Sequence, residues 1–173
     1  MNKRIPLSAA SIVPLLAGSC AGDPAVSVPE NARPNIIFIF SDDLGIGDLS
    51  CYGATRVATP HIDRLAAQGQ RFTNAYATSA TSTPSRFGLL TGMYPWRLPN
   101  TQIAPGNSEL IIDPECHTLA DAMHDAGYVT GAVGKWHLGL GPVGGTDFNV
   151  EIRPDARDIG FDYEYLIPAC LLY

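Results

Sequence analysis

Five consecutive apolar residues, Ile36-Ile37-Phe38-Ile39-Phe40, break off without transition at Ser41-Asp42-Asp43. An apolar run without polar alternation has the pattern of a strand covered on both faces, as in a parallel sheet. The following segments alternate with it. TPHIDRLAAQGQRF reads as a helix: Thr59 caps it, Pro60 sits first, Ile62, Leu65 and Ala66 face inward, and Gly69 stops it. RFTNAYA, residues 71–77, reads as a short strand. A second helix follows, with Thr83 as cap, Pro84 first, and Phe87, Leu89 and Leu90 inward, and it stops at Thr91-Gly92. In HTLADAMHDAG, Thr118 and Asp121 form a capping arrangement, Leu119, Ala122 and Met123 form the apolar stripe, and Gly127 ends the helix. Tyr128 to Val133 reads as a third strand. Strand, helix, strand, helix, strand predicts an α/β fold with a mostly parallel sheet flanked by helices. Handed crossovers bring the strand ends to one edge, where such sheets bind ligands.

Three polar groups follow the three strands: Ser41-Asp42-Asp43, the segment Ser79 to Arg86, and Gly134-Lys135-Trp136-His137. Each has two readings. Ser82 to Arg86 is either the polar opening of a helix or the location of a nucleophilic hydroxyl. Asp42 and Asp43 are either a solvated turn or a pair of hard oxygen ligands, because adjacent ionised carboxylates repel unless a cation joins them. Arg86 and Lys135 are either surface cations or an anion site suited to a tetrahedral oxyanion. His137 is either a loop histidine or a proton carrier. Trp136 reads as packing, and His61, His117 and His124 read as structural.

The 173 residues suffice for one modest domain. The net charge is −6, more negative once Lys3 and Arg4 are set aside with a leader, and no basic stripe exists, so nucleic acid is not an expected partner. Residues 1–20, MNKRIPLSAASIVPLLAGSC, join a basic start to an apolar middle broken by Pro6 and Pro14. The segment is too short and too broken for a permanent span. It resembles a bacterial lipoprotein signal with Cys20 as the lipidated residue; an ordinary secretory signal is the other reading. Residues 21–34 read as a flexible tether. The four cysteines, Cys20, Cys51, Cys116 and Cys170, form no CxxC pair, so neither zinc nor a disulfide framework is expected.

The pieces PNIIFIFSDDLGIGDLSCYG, TPHIDRLAAQGQRFTNAY, STPSRFGLLTG, GKWHLG and GFDYEY together resemble the N-terminal part of a type I sulfatase, of the alkaline phosphatase-like superfamily. They occur in the family's order from Pro34 to about Tyr165. The resemblance implies the alkaline phosphatase-like fold and sulfuric ester hydrolysis, with residues 35–173 as the N-terminal part of a catalytic domain. It implies that Ser82, first in the Ser-x-Pro-Ser-Arg motif, becomes formylglycine. A plain serine attacking sulfur would leave a stable sulfate ester, whereas an aldehyde hydrate has a second hydroxyl through which the intermediate collapses. It implies Asp42, Asp43 and the modified Ser82 as ligands of Ca²⁺ or another divalent cation such as Mg²⁺. Arg86 is implied to steady the formylglycine, Lys135 to contact the sulfate, and His137 to contact the nucleophile's hydroxyls.

A serine at this position implies maturation by a radical S-adenosylmethionine enzyme and a bacterial source. With the leader, the expected location is the periplasm or an outer-membrane lipid anchor, and the expected substrate is a sulfate ester of a carbohydrate. Family members run to several hundred residues and supply further metal ligands, a second Lys and a second His. The match stops at GFDYEYLIPACLLY, so the chain is expected to be an incomplete fragment. Two other readings remain: a non-catalytic truncated remnant, and a phosphatase or phosphodiesterase of the same superfamily, against which the STPSR element argues.

Cys20→Ala is expected to release the protein from the membrane fraction of its host, with loss of fatty-acid labelling. A wild type that never takes up the label would favour the ordinary secretory signal.

Overall fold

The computed structural model describes residues 33–169. The expected leader, Cys20, most of the tether and Cys170 lie outside the described residues. The chain divides into two units, Met1–Phe40 and Ser41–Tyr173.

In the first unit, residues 33–40 carry no regular secondary structure and their side chains are exposed; Ile37 is 85% exposed. The expected strand over Ile36–Phe40 is therefore absent. A strand exists through the ladder it joins, and the sheet among the described residues consists of two other strands.

In the second unit, helix α1 spans Pro60–Gln68, α2 Ser82–Thr91 and α3 Leu119–Asp125; strand β1 spans Gly131–Lys135 and β2 Tyr163–Ile167. The strands run parallel, with Gly131 opposite Tyr163 and Lys135 opposite Ile167. Thus β1 begins three residues later than the sequence pattern suggests, and Lys135 is its last residue. Residues 71–77 form no strand, and Phe72 and Tyr76 are exposed, which corrects the second expected strand. Among the described residues no helix is long and apolar enough to cross a membrane.

The helix boundaries follow the punctuation. Pro60 opens α1, but the helix is anchored by its polar side: Asp63 accepts hydrogen bonds from Ser50 Oγ at 2.6 Å, Cys51 N at 2.8 Å and Thr59 Oγ1 at 3.0 Å. Ile62 and Leu65, expected inward, are exposed. Helix α2 begins two residues earlier than expected, with Thr81 at the N-cap; Thr83 lies inside its first turn, fully buried. Gly92, at φ 67°, closes it in the left-handed conformation that glycine adopts freely. Helix α3 carries the expected capping box: Thr118 Oγ1 accepts from Ala120 N and Asp121 N, and Asp121 accepts from Thr118 N at 2.8 Å. Its inward residue is Ala120, while Leu119 and Ala122 are exposed.

Phe87 from α2 packs with Ile112, Trp136, Leu138, Leu140, Ala156 and Ile159 in the buried core. Trp136 is packing, as expected: its indole N–H donates to the Gly139 carbonyl at 2.8 Å and its ring meets Phe161 edge-on. Residues 138–141 run beside 108–111 through backbone bonds, Ile111 N to Leu138 O at 3.0 Å and Leu140 N to Ser108 O at 2.9 Å. Gly139, at φ 69°, makes that approach possible, since a Cβ there would stand 1.7 Å from the Glu109 carbonyl oxygen.

Asp155, 2% exposed, caps the turn Ala156–Ile159 and accepts from Arg157 N at 2.8 Å and from the Arg157 guanidinium. Burial is the largest single influence and pushes its carboxyl up, but the Arg157 bonds together with the charges of Arg157 and Arg153 hold it below the ordinary 3.8. A carboxyl lowered in the folded state stabilises above its unfolded value and loses that contribution as pH falls through the folded value. Asp155→Asn is expected to cost about 1–3 kcal/mol at neutral pH and to flatten the acid side of the stability profile, read by urea unfolding. An unchanged acid limb in the variant would contradict this assignment.

Candidate active site

Helix α2 presents Ser82 in its first turn and Arg86 four residues on, so the two share a helix face. Arg86 Nε donates to Ser82 Oγ at 2.9 Å. One of its terminal nitrogens donates to the Lys135 carbonyl at 2.6 Å, at the end of β1, and the other to Asp42 Oδ2 at 3.2 Å. The Lys135 ammonium pairs with the same Asp42 oxygen. The Lys135 hydrogen bond is the main cause holding the Asp42 carboxyl below the usual range; partial burial opposes it, and the charges of Lys135 and Arg86 add to it.

His137 follows β1 by one residue, is buried, and has φ 55°. Its Nε2 lies 3.0 Å from the Ala104 carbonyl oxygen and its Nδ1 3.0 Å from Ser82 Oγ. A carbonyl only accepts, so Nε2 carries the ring proton and Nδ1 accepts from the Ser82 hydroxyl. Burial is the main cause keeping this imidazole below the ordinary 6.5; Lys135 and Arg86 act in the same direction, and the Ala104 bond and Asp42 oppose them. The ring is therefore the neutral, proton-accepting form at neutral pH. The Ser82 oxygen receives a bond from a cation while its proton faces a base, the arrangement of an activated hydroxyl.

Asp42, Ser82, Arg86, Lys135 and His137 thus meet, although the expected strands over 36–40 and 71–77 do not form. Asp43 adopts φ 56° in the turn, and among the described residues no hydrogen bond joins it to the cluster. His117 and His124, read as structural, lie on the surface near Asp125 and Asp162, outside the cluster. Two residues escaped the sequence reading. Thr83 was assigned as a cap, and Ala104 contributes only its backbone, which no residue-type pattern can signal.

Among the described residues no three His, Cys, Asp or Glu side chains gather into a metal cluster. The oxygens on offer are of the hard kind. Asp42 Oδ2 and Ser82 Oγ sit on one guanidinium, and Asp43 is the next residue along. In kind, these donors fit a divalent cation such as Ca²⁺, which takes oxygen ligands.

A family model described as Sulfatase matches residues 34–163. The chain is 78% identical over 137 residues to an N-acetylgalactosamine-6-O-sulfatase of Bacteroides thetaiotaomicron, covering 79% of this chain and 27% of that protein. A solved structure from work on the metabolism of multiple glycosaminoglycans by B. thetaiotaomicron superposes with TM-score 0.78 at 78% identity, covering 79% of this chain and 28% of the other. A structure of Ps i-CgsB in complex with k-i-k-neocarrahexaose superposes with TM-score 0.58 at 32% identity, covering 72% and 26%. The chain spans about a quarter of the length of the curated relatives it matches.

Arg86→Lys keeps the charge but loses the three-pronged fork that serves Ser82, Lys135 and Asp42 at once. It is expected to lower stability by about 1–3 kcal/mol, measured by urea unfolding. A variant as stable as wild type would show that the fork does not hold these segments together.

Proposed function

This chain belongs to the sulfatase family, with the alkaline phosphatase-like α/β fold, and we propose that the protein bearing it hydrolyses sulfate esters of carbohydrates with Ser82 as the site of the nucleophile. The observation that carries the reading is the Ser82 hydroxyl held between Arg86 Nε and His137 Nδ1 within the STPSR element. Ser82 is converted to formylglycine by a radical S-adenosylmethionine enzyme. One hydroxyl of the hydrated aldehyde attacks sulfur as the S–O bond to the sugar breaks and the alcohol leaves; the second hydroxyl then loses its proton, the aldehyde C=O re-forms, and the C–O bond to sulfate breaks. His137, neutral and with Nδ1 free to accept, takes the hydroxyl proton. Arg86 orients the oxygen. Lys135 and Arg86 offset the negative charge of the sulfuryl oxygens. Asp42, Asp43 and the residue at 82 would hold a divalent cation, Ca²⁺ in the first instance, which would supply Lewis-acid chemistry.

The similarity to an N-acetylgalactosamine-6-O-sulfatase supports a 6-O-sulfated N-acetylgalactosamine unit of a glycan as substrate. The leader supports export in a bacterium, with a lipid at Cys20 as a membrane attachment.

Mass spectrometry of the peptide spanning Ser82, from the native host, is expected to show a species lighter by two hydrogens. In the full-length protein, Ser82→Ala is expected to reduce hydrolysis of the sulfated sugar by a factor on the order of a thousand or more, and Asp42→Ala to lower both metal content and turnover. Unmodified serine in a host that has the maturation enzyme, or full activity without the hydroxyl, would remove Ser82 from this role.

A further inference from the structure

The left-handed backbone of His137 is unusual for a residue with a side chain and requires its surroundings to hold it. Its N–H donates to the Pro168 carbonyl at 3.0 Å, and its C=O accepts from Thr83 Oγ1 at 2.8 Å. Thr83 is fully buried and its oxygen also accepts from Ala104 N at 3.0 Å. One hydroxyl thereby fixes the peptide on each side of the imidazole. It donates to the carbonyl of His137 itself and accepts from the amide of Ala104, whose carbonyl takes the Nε2 proton. The bonds close a ring through Thr83, His137 and Ala104. The hydroxyl has one proton, and the ring uses it once, so the donors and acceptors balance.

We propose that Thr83 is a positioning residue for the sulfatase reaction: its hydroxyl holds the His137 backbone in the left-handed conformation and sets the Ala104 carbonyl that selects the Nε2–H tautomer, aiming Nδ1 at residue 82. The proposal rests on the proposed role of Ser82 for its effect on turnover, but not for its effect on the ring. Thr83 sits beside the nucleophile in sequence and faces away from it, into the protein. Thr83→Val keeps the shape and leaves the Ala104 N–H and the His137 carbonyl without this partner. Thr83→Ser keeps the hydroxyl.

The test uses the full-length protein with ¹⁵N-labelled histidine. Wild type and Thr83→Ser are expected to show His137 with a protonated Nε2 and an accepting Nδ1, and Thr83→Val a mixture of tautomers. Counted per formylglycine-bearing molecule by mass spectrometry, kcat in Thr83→Val is expected to fall about tenfold to a hundredfold with KM changed less than about threefold, while Thr83→Ser stays near wild type. A single Nε2–H tautomer and wild-type kcat in Thr83→Val would overturn the proposal, as would an equal loss in Thr83→Ser. Should Thr83→Val not fold, the wild-type spectrum still decides: an Nδ1–H tautomer there is incompatible with the ring. Absence of sulfate-ester turnover in the wild type would overturn the functional reading alone, leaving the tautomer measurement to judge Thr83.

Discussion

The guanidinium of Arg86 is the junction on which the site depends. It joins the first turn of α2, the end of β1 and the Asp42 turn through three separate nitrogens. A planar, permanently charged fork can serve an oxygen acceptor of each kind, hydroxyl, carbonyl and carboxylate, without rearranging. With its side chain 12% exposed, it works at the edge of water, where each bond counts for more than on an open surface. Removing any one of the three acceptors would release one segment from the junction while the fork still joined the other two.

Protonation divides the cluster into complementary parts. Asp42 is held ionised mainly by the Lys135 hydrogen bond, while His137 is held neutral mainly by burial. The two cations that stabilise the aspartate are the same ones that discourage a proton on the imidazole. A hydroxyl between them therefore meets a positive donor on one side and an uncharged acceptor on the other, a polarity set by the fold before any substrate arrives.

That Asp42, Ser82, Arg86, Lys135 and His137 would lie together was legible in the sequence, and much of the scaffold around them was not. Pro60, Gly92, Gly127 and the Thr118–Asp121 box mark helix ends by local sterics and local hydrogen bonds, which a sequence carries in full. The strands over 36–40 and 71–77 were misread because an apolar run records an affinity for cover and not the partner that supplies it. Thr83 was misread for a related reason. A threonine beside Pro84 satisfies the pattern of a cap, but its partners lie 54 and 21 residues away, beyond the reach of any local rule. Ala104 acts through its peptide alone, and β2 appeared in the sequence only as the GFDYEY element of a resemblance.

The spans of chain closed by the site have a kinetic meaning. Arg86 reaches partners 44 and 49 residues distant, and Lys135 reaches one 93 residues distant. Closing loops of these lengths costs chain entropy before any single contact returns it, and such contacts slow folding relative to helical turns. The backbone bonds of the helix carrying Ser82 are local, whereas the contacts around Ser82 need three distant segments to meet. The polarity around the hydroxyl is therefore a property of long-range closure and not of the helix turn that carries it.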